Sequence, residues 1–574
     1  MPGNRPDLLS LSDLARRVRP GDRIGIGGHH FARLPLALIE AVIAESPRNL
    51  HVISWGGGLP LEMLLEAGLV GVVDHCFSSL DIFGLAPRFR AAAEAGAIPV
   101  RDWTALAMIQ GYQAAARNLP SLPFQPPDGS DMLGLVPEIE TAELGGRTLA
   151  LAPALPLDVA LIHAPRADRS GNVQIIGARA LDVALAGTAN RVLVTVEEIV
   201  PDGALSGDGR QTVLHRNQIS AIAEVPGGAY PASCLPFYVT DYAALRAMLQ
   251  GDRLQRPDAN GSATAYVRRA ASVPVSKATK IGAPANEEAA APTPDERLVI
   301  RIAQEFDNHS FASAGAVSPV ANIAYHLAKR THAPDMIIAT LTCGHIDIAP
   351  TPLTLSLSEP FDCQTAVAHR GGEDTYFEFY QAGMVSHEIV GAAQVDRFGR
   401  VNTLRIDRPD GGFIRLPGQG GMADVANLHQ TFIIYLPRQT ARALVDRVDF
   451  VSAARGVIDP AERERLGYRQ GPVKLFTNLC VLELSLDTGE LQVTELFPGV
   501  TRDDVQQNAG FPVRFADTVV TIEEPDTEIL RILREEIDPI GLRRLEFAPA
   551  REREALLDEV IRADRTITEA LFEE

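Results

Sequence analysis

The chain has 574 residues, of which 46% are hydrophobic and 22% charged, and its formal net charge is −20. A chain of this length is too long for a single hydrophobic core and fits two large domains. The negative charge argues against nucleic acid or an anionic membrane as a general partner. No stretch reaches the ~18 apolar residues of a membrane span, and the five cysteines lack CxxC spacing, so we expect a cytoplasmic protein with no disulfide framework and no metal site.

The first elements alternate between strand and helix. Residues 23–27 are predicted as a short buried strand, residues 35–45 have helical apolar spacing, and residues 50–54 form a second predicted strand. This order is typical of a parallel sheet. We therefore expect ligands at the carboxyl ends of these strands, in loops 28–33 and 56–60.

Two adjacent histidines follow the first predicted strand. His29 and His30 come directly after Gly27-Gly28, where side chains can project into a crevice. An imidazole there could act as a general base or hydrogen-bond a carbonyl group. The alternative is a loop histidine that bonds to nearby backbone. A dinucleotide loop is not predicted, because the full Gly-x-Gly-x-x-Gly frame is missing.

One six-residue pattern occurs in each half of the chain. Residues 168–173 and 396–401 share the frame Asp-Arg-x-Gly-x-Val, 228 positions apart. Each copy is followed by Asp-Val-Ala, which begins at Asp182 and at Asp424, and then by an apolar run. The interval to Asp-Val-Ala is 14 residues in the first copy and 28 in the second. The order predicts two copies of one ancestral domain, the second with an additional loop.

The boundary between the copies is predicted at residues 270–294, which are rich in Ala and Pro and cannot bury enough apolar surface to fold alone. We expect a linker there, between a first domain of residues 1–269 and a second of residues 295–574. After it the pattern restarts, with helices predicted at 298–306 and 320–329 and strands at 311–316 and 336–340. The predicted fold class is α/β, with two tandem, similar, open α/β/α domains whose sheets are mainly parallel.

Thr342-Cys343-Gly344-His345 follows the strand predicted at 336–340 and brings a hydroxyl, a thiol and an imidazole together. A Cys/His nucleophile pair is one interpretation. On an extended backbone about 6.6 Å of rise separates Cys343 from His345, so a close pair needs a bend at Gly344. The alternative is a buried cysteine without a chemical role.

The additional loop of the second copy is rich in glycine. Gly418, Gln419, Gly420 and Gly421 could direct consecutive backbone N–H groups at a phosphate or a developing oxyanion. The alternative is an ordinary turn in which glycine supplies positive φ.

Many separate motifs resemble those of the family I CoA-transferases of the glutaconate CoA-transferase type, with the α and β subunits fused in one chain. They occur in the expected order, cover most of residues 15–545, and lie at 27–28, 163–174, 194–199, 394–402, 418–421, 477–479 and 498–501. The resemblance implies a CoA thioester in the cleft between two open α/β domains, as a substrate and not as a permanently bound cofactor. It implies a carboxylic acid acceptor as a further partner and places the Gly-rich loop near the thioester carbonyl. A homodimer is one possible assembly.

The sequence departs from the family at its catalytic glutamate. The Glu-x-Gly element of the family falls on Thr342-Cys343-Gly344, and a threonine hydroxyl is a weak nucleophile unless another group deprotonates it. Steroid-ring-opening hydrolases resemble the same scaffold and use an α-subunit glutamate, whose matching position here is Ala105. Asp102, three residues earlier, is the substitute that the sequence offers.

Three hypotheses follow, and overall resemblance favours the first. The protein transfers CoA between an acyl-CoA and a carboxylate, with Glu359 or Asp347 in place of the missing glutamate. In the second, it hydrolyses an acyl-CoA, the water being activated by one of three candidate bases and the oxyanion held by N–H groups of the glycine loop. Those bases are His29, His30 and Asp102. In the third, it binds a CoA thioester without catalysis.

Overall fold

The computed structural model describes residues 5–206, 212–252, 291–315, 317–340, 342–357 and 359–570. Most of the predicted linker lies outside these ranges, so the two domain boundaries stay predictions. No helix in the described ranges is long and apolar enough to cross a membrane.

The first half is organised around a sheet whose eight main strands all run parallel. In spatial order they are Asp7–Leu8, Ala221–Glu224, Ala189–Val200, Leu157–Asp168, Arg23–Ile26, Leu50–Gly56, Val70–Phe77 and Val100–Asp102. Two further strands pair antiparallel beside this path, Val173–Gln174 and Thr212–Leu214.

The second half has its own large sheet with a parallel centre. In spatial order its strands are Ala368–His369, His345–Ile346, Ile337–Thr340, Phe311–Ser313, His387–Gly391, Thr431–Leu436, Val473–Thr477, Cys480–Leu484, Leu491–Leu496 and Arg514–Thr521. The five strands from Ile337–Thr340 to Val473–Thr477 are parallel, and antiparallel strands extend this centre on both sides. The predicted fold class is confirmed.

Helices cover both sheets and smaller sheets lie at their edges. The α-helices are Leu11–Ala15, Leu36–Glu45, Gly58–Glu66, Pro87–Glu94, Ala105–Ala116, Asp182–Thr188, Tyr242–Leu249, Pro294–Ala303, Pro319–Arg330, Phe361–Thr365, Gly372–Thr375, Met422–Leu428, Pro460–Leu466, Arg502–Gln507, Thr527–Arg531, Arg544–Phe547 and Ala550–Ala570. The smaller sheets pair Ser121–Phe124 and Glu140–Leu144 with Arg147–Pro153, Val401–Asn402 and Leu444–Val445 with Gln394–Asp396, and Arg405–Asp407 with Phe413–Arg415.

The helix predicted at 298–306 begins and ends earlier than expected. It spans Pro294–Ala303 because Thr293 and Glu296 form a capping box at its start and proline occupies its first turn. The strand predicted at 311–316 ends at Ser313.

The repeated Asp-Arg-x-Gly-x-Val pattern builds the same turn twice. The Asp168 carboxylate accepts the Asn172 N–H at 2.9 Å, and the Asp396 carboxylate accepts the Arg400 N–H at 3.2 Å. The glycine of each copy has positive φ, which only glycine adopts without strain. The repeat therefore reflects one turn, which each half uses after a central strand.

Candidate active site

A small cavity lies where the strands Arg23–Ile26 and Leu50–Gly56 of the first half end. Thr342 reaches it from the second half, after strand Ile337–Thr340. The lining residues are Ile26, Gly28, His29, Ser54, Trp55, Gly56, Tyr112, Ala180, Leu181, Leu185 and Thr342. The cavity thus lies at the carboxyl ends of parallel strands, and both His29 and Thr342 line it.

His29 is buried in the wall of this cavity, with only 6% of its surface exposed. Its Nε2 atom has no hydrogen-bond partner among the described residues. Burial lowers the pKa of His29 well below its usual value, and the nearby charges of His30 and Arg33 lower it further. The imidazole is therefore neutral at physiological pH and can accept a proton.

Trp55 stands beside His29 with a second unpartnered nitrogen. The two rings meet edge to face, with centroids 5.0 Å apart, and the buried Nε1–H of Trp55 also lacks a partner among the described residues. A buried polar group without a partner costs about 1–3 kcal/mol. One acceptor and one donor at the same cavity thus fit a bound group that both accepts and donates hydrogen bonds. The sequence offered no signal for this role of Trp55.

His30 differs from its neighbour because it already has a partner. Its Nδ1 atom lies 2.7 Å from Asp81 Oδ1, and it lines a small adjacent cavity together with His29. The structure therefore separates two histidines that the sequence treats alike, and it leaves His29 as the stronger base candidate because only His29 lines the cavity that Thr342 also lines.

Asp102 lies in a buried ion pair that joins the two halves. Both carboxylate oxygens contact the Arg415 guanidinium, with Oδ2 2.8 Å from Nη1, and His75 Nε2 lies 3.0 Å from Oδ1. Burial alone would raise the pKa of Asp102, but Arg415 and His75 together hold it below its usual value. So weak a base does not support the predicted activation of water, and we assign Asp102 to the interface.

The loop that contains Thr342 and Cys343 bends at Gly344, whose φ is +83°. Cys343 is buried against Ala32 and Ala178 of the first half, whereas the His345 ring meets that of His369. The two side chains thus pack against different neighbours, which favours the interpretation of Cys343 as a buried cysteine.

Glu359 is buried and bonded at both carboxylate oxygens. Oε2 accepts the Ser233 hydroxyl and Oε1 accepts the Ala178 N–H, each at 2.6 Å. Burial raises the pKa of Glu359, although these two bonds and Arg33 oppose the shift. Asp347 forms an ion pair with Lys329 at 2.7 Å. Neither carboxylate lines the cavity at Thr342.

The glycine-rich loop interlocks with the first half. Gly418 pairs with Phe77 as an antiparallel bridge, and a side chain at Gly418 would come within 2.6 Å of the Cys76 carbonyl oxygen. The Gly420 N–H donates to that same carbonyl at 3.0 Å. This N–H is thus already used, which argues against its predicted role as an oxyanion donor.

Gln419 anchors the same loop through its side chain. Its Nε2 donates to the Trp103 carbonyl at 3.1 Å, and its Oε1 accepts the Ala423 N–H at 2.9 Å. Gly421 lies against Tyr376 and Ala105. The glycines of this loop therefore allow two backbones to approach closely, and the loop joins the halves beside the cavity.

Glu373 is a buried carboxyl group that the sequence did not single out. Its Oε2 has no partner among the described residues, and burial, with Asp374 and Asp182 nearby, raises its pKa to about 8. The preceding Gly372 donates its N–H to the carbonyl of Ala180, a residue of the cavity wall, at 2.7 Å. Only the tertiary fold brings this glutamate close to the cavity.

Two open α/β halves that share one cleft define the two-domain fold of acyl-CoA transferases. The crystal structure of the acyl-CoA transferase YdiF from Escherichia coli O157:H7 superposes with a TM-score of 0.67, 17% sequence identity, and coverage of 92% of this chain and 96% of that one. At this identity the likeness concerns the fold alone. The chain belongs to the Coenzyme A transferase family, whose model matches residues 9–211 and 296–508.

The relatives include both transferases and a hydrolase. One of the two subunits of the 3-oxoadipate CoA-transferase of Pseudomonas knackmussii is 33% identical over 243 residues, which cover 42% of this chain and 91% of that protein. The cholesterol ring-cleaving hydrolase IpdA subunit of Rhodococcus jostii is 33% identical over 242 residues, which cover 40% of this chain and 81% of that protein. Single subunits thus match parts of this chain, and the predicted fusion of two subunit-like halves is confirmed.

Proposed function

We propose that the protein hydrolyses an acyl-CoA thioester in the cavity between its halves, with His29 as the base. The observation that carries this proposal is the pair of buried, unpartnered nitrogens, His29 Nε2 and Trp55 Nε1, in the cavity that Thr342 also lines. A neutral imidazole suits general-base catalysis at neutral pH. The IpdA relative is named as a ring-cleaving hydrolase, so it supports hydrolysis on this scaffold but not the choice of the thioester bond.

In the proposed reaction, His29 Nε2 takes a proton from a water molecule as the water oxygen attacks the thioester carbonyl carbon. The carbonyl oxygen becomes an oxyanion, which accepts the Trp55 Nε1–H. The carbon–sulfur bond then breaks, and the CoA thiolate recovers the proton from the imidazolium. The products are a carboxylic acid and free CoA thiol.

The cavity lining disfavours covalent transfer. None of the described residues that line it carries a carboxylate, and a threonine stands at the position of the family glutamate. Glu359 is bonded at both oxygens, as described above. Transfer through a glutamyl or aspartyl intermediate would thus need a carboxylate that the described lining of the cavity does not present.

Transfer of CoA to a carboxylate is the second candidate, and Glu373 favours it. Its unpartnered oxygen lies one residue from Gly372, which bonds the cavity wall. The relative named as a CoA-transferase also supports this reaction. A loop movement that exposes Glu373 would supply the missing nucleophile.

The experiment that separates these reactions incubates the protein with a panel of acyl-CoAs, with and without acetate or succinate, and follows free thiol. We expect thiol release without an acceptor. Acceptor-dependent exchange without thiol release would overturn hydrolysis in favour of transfer. Borohydride treatment after preincubation with acyl-CoA should then inactivate the enzyme, because it reduces a glutamyl thioester. A product that has gained one water but still carries CoA would show that the enzyme hydrolyses a carbon–carbon bond of the acyl group and not the thioester.

Trp55→Phe tests the proposed oxyanion donor. The change keeps an aromatic ring but removes the Nε1–H, so kcat should fall by about tenfold, the equivalent of one hydrogen bond of ~1.4 kcal/mol, with little change in KM. Trp103→Phe is the matched control, because Trp103 Nε1 bonds Asp74 at 2.9 Å outside the cavity. A kcat equal to that of the unmodified protein would remove Trp55 from the mechanism.

The pH profile tests the protonation state of His29. The base form predominates above the pKa of His29 in the folded protein, which burial holds well below 6.5. We therefore expect kcat/KM to stay level as the pH falls from about 8 to about 6. A descending limb centred near the ordinary histidine pKa would contradict a buried neutral base.

A further inference from the structure

The second half contains a groove of about 400 Å³ at the end of its sheet opposite Thr342. Gly471 and Pro472, which precede strand Val473–Thr477, form part of it, whereas Thr342 follows the carboxyl end of a parallel strand of that sheet. Its volume falls within the range of small-molecule sites, about 300–1,000 Å³. The groove is thus separate from the cavity at His29.

Two buried arginines line this groove without an acidic partner. Arg455 donates to the carbonyls of Ala426, Gly471, His429 and Gln430. Arg463 donates to the carbonyls of Arg469, Val457 and Asn427 and to the Asn427 side-chain oxygen. In the described part of the chain, neither guanidinium has an ion pair.

The absence of a counter-charge affects both groups. Burial and the nearby Arg463 lower the pKa of Arg455 to about 9, and burial lowers that of Arg463 to about 10, against the smaller effects of Tyr468 and Asp128. A guanidinium has five N–H donors, of which the contacts above use four in each residue. Two positive charges without an ion pair among the described residues thus lie at the groove, and each guanidinium has one N–H beyond these four contacts.

Part of the lining of the groove is apolar. Leu484, Leu486 and Ile458 belong to it, and Leu486 is 60% exposed. We propose that the groove binds a medium-chain monocarboxylate, with its carboxylate at Arg455 and Arg463 and its alkyl chain along Leu484 and Leu486. Two N–H donors match the two oxygens of a carboxylate. Glu483, which also lines the groove, disfavours a doubly charged phosphate.

Calorimetric titration of the full chain with sodium octanoate tests this proposal. We expect saturable binding at one site. Acetate lacks the long alkyl chain and octanol lacks the carboxylate, so each should bind at least tenfold more weakly than octanoate. Inorganic phosphate is the fourth probe. Octanoate that fails to bind, or phosphate that binds more tightly than octanoate, would overturn the proposal.

Two variants locate the site. Leu486→Asp removes an apolar contact and adds a repelling charge on an exposed residue, so octanoate affinity should fall at least tenfold while Tm stays unchanged. Leu8→Asp is the control, because Leu8 is 50% exposed on the edge strand of the other sheet, and it should bind octanoate normally. Equal affinity in Leu486→Asp would show that octanoate binds elsewhere and would overturn the assignment.

Discussion

His29→Ala is expected to lower kcat by about 100-fold or more, the usual contribution of a positioned general base. The reason lies in three features that His29 combines, namely burial, an unpartnered Nε2 and a position in the cavity that Thr342 lines. Thiol release from the acyl-CoA that the unmodified protein hydrolyses fastest is the measurement. KM should change little, because the imidazole acts on water and not on the bound CoA.

The adjacent histidine offers a matched control for this variant. His30→Ala removes a ring that is already bonded to Asp81, so it should reduce turnover much less than His29→Ala. His29→Gln keeps a polar group of similar size but cannot take up a proton, and it should be as impaired as His29→Ala. Full activity in His29→Ala would exclude His29 as the base and would favour transfer through Glu373.

The position of the cavity could be predicted from the sequence, but the hydrogen bonding of its side chains could not. The alternation of strand and helix placed ligands at the carboxyl ends of the first strands, and the cavity lies there. Hydrogen-bond satisfaction, by contrast, depends on tertiary neighbours. His29 and His30 are identical in sequence terms, yet Asp81, 51 residues from His30 in the chain, bonds the Nδ1 atom of His30, whereas the buried Nε2 atom of His29 has no partner among the described residues.

The duplication illustrates the same limit at the level of the fold. The repeated turn predicted two similar halves, and the five central strands occur in the same spatial order in both. The glycine loop, however, could be recognised from sequence only as a feature of the second copy. Its contacts with Phe77 and Cys76 cross more than 300 residues of chain, so its role at the interface was not readable from local spacing.

The interface also explains why Asp102 is more important for stability than for catalysis. Its carboxylate bonds Arg415 across the two halves, and both side chains are only 6% exposed. Arg415→Met should therefore destabilise the protein by about 3–5 kcal/mol, because it leaves a buried carboxylate without its main counter-charge. The urea midpoint and calorimetric Tm measure this loss.

A double variant distinguishes lost pairing from lost packing. Asp102→Asn removes the buried charge, so Asp102→Asn combined with Arg415→Met should be more stable than Arg415→Met alone. Arg465→Met is the surface control: Arg465 pairs with Glu462 in solvent, and its loss should leave the midpoint nearly unchanged. Because Arg415 lowers the pKa of Asp102 in the folded protein, the contribution of the pair persists at neutral pH and is lost only as the pH falls below about 4. If the double variant were no more stable than Arg415→Met, the side chain of Arg415 would stabilise the interface by packing and not by charge.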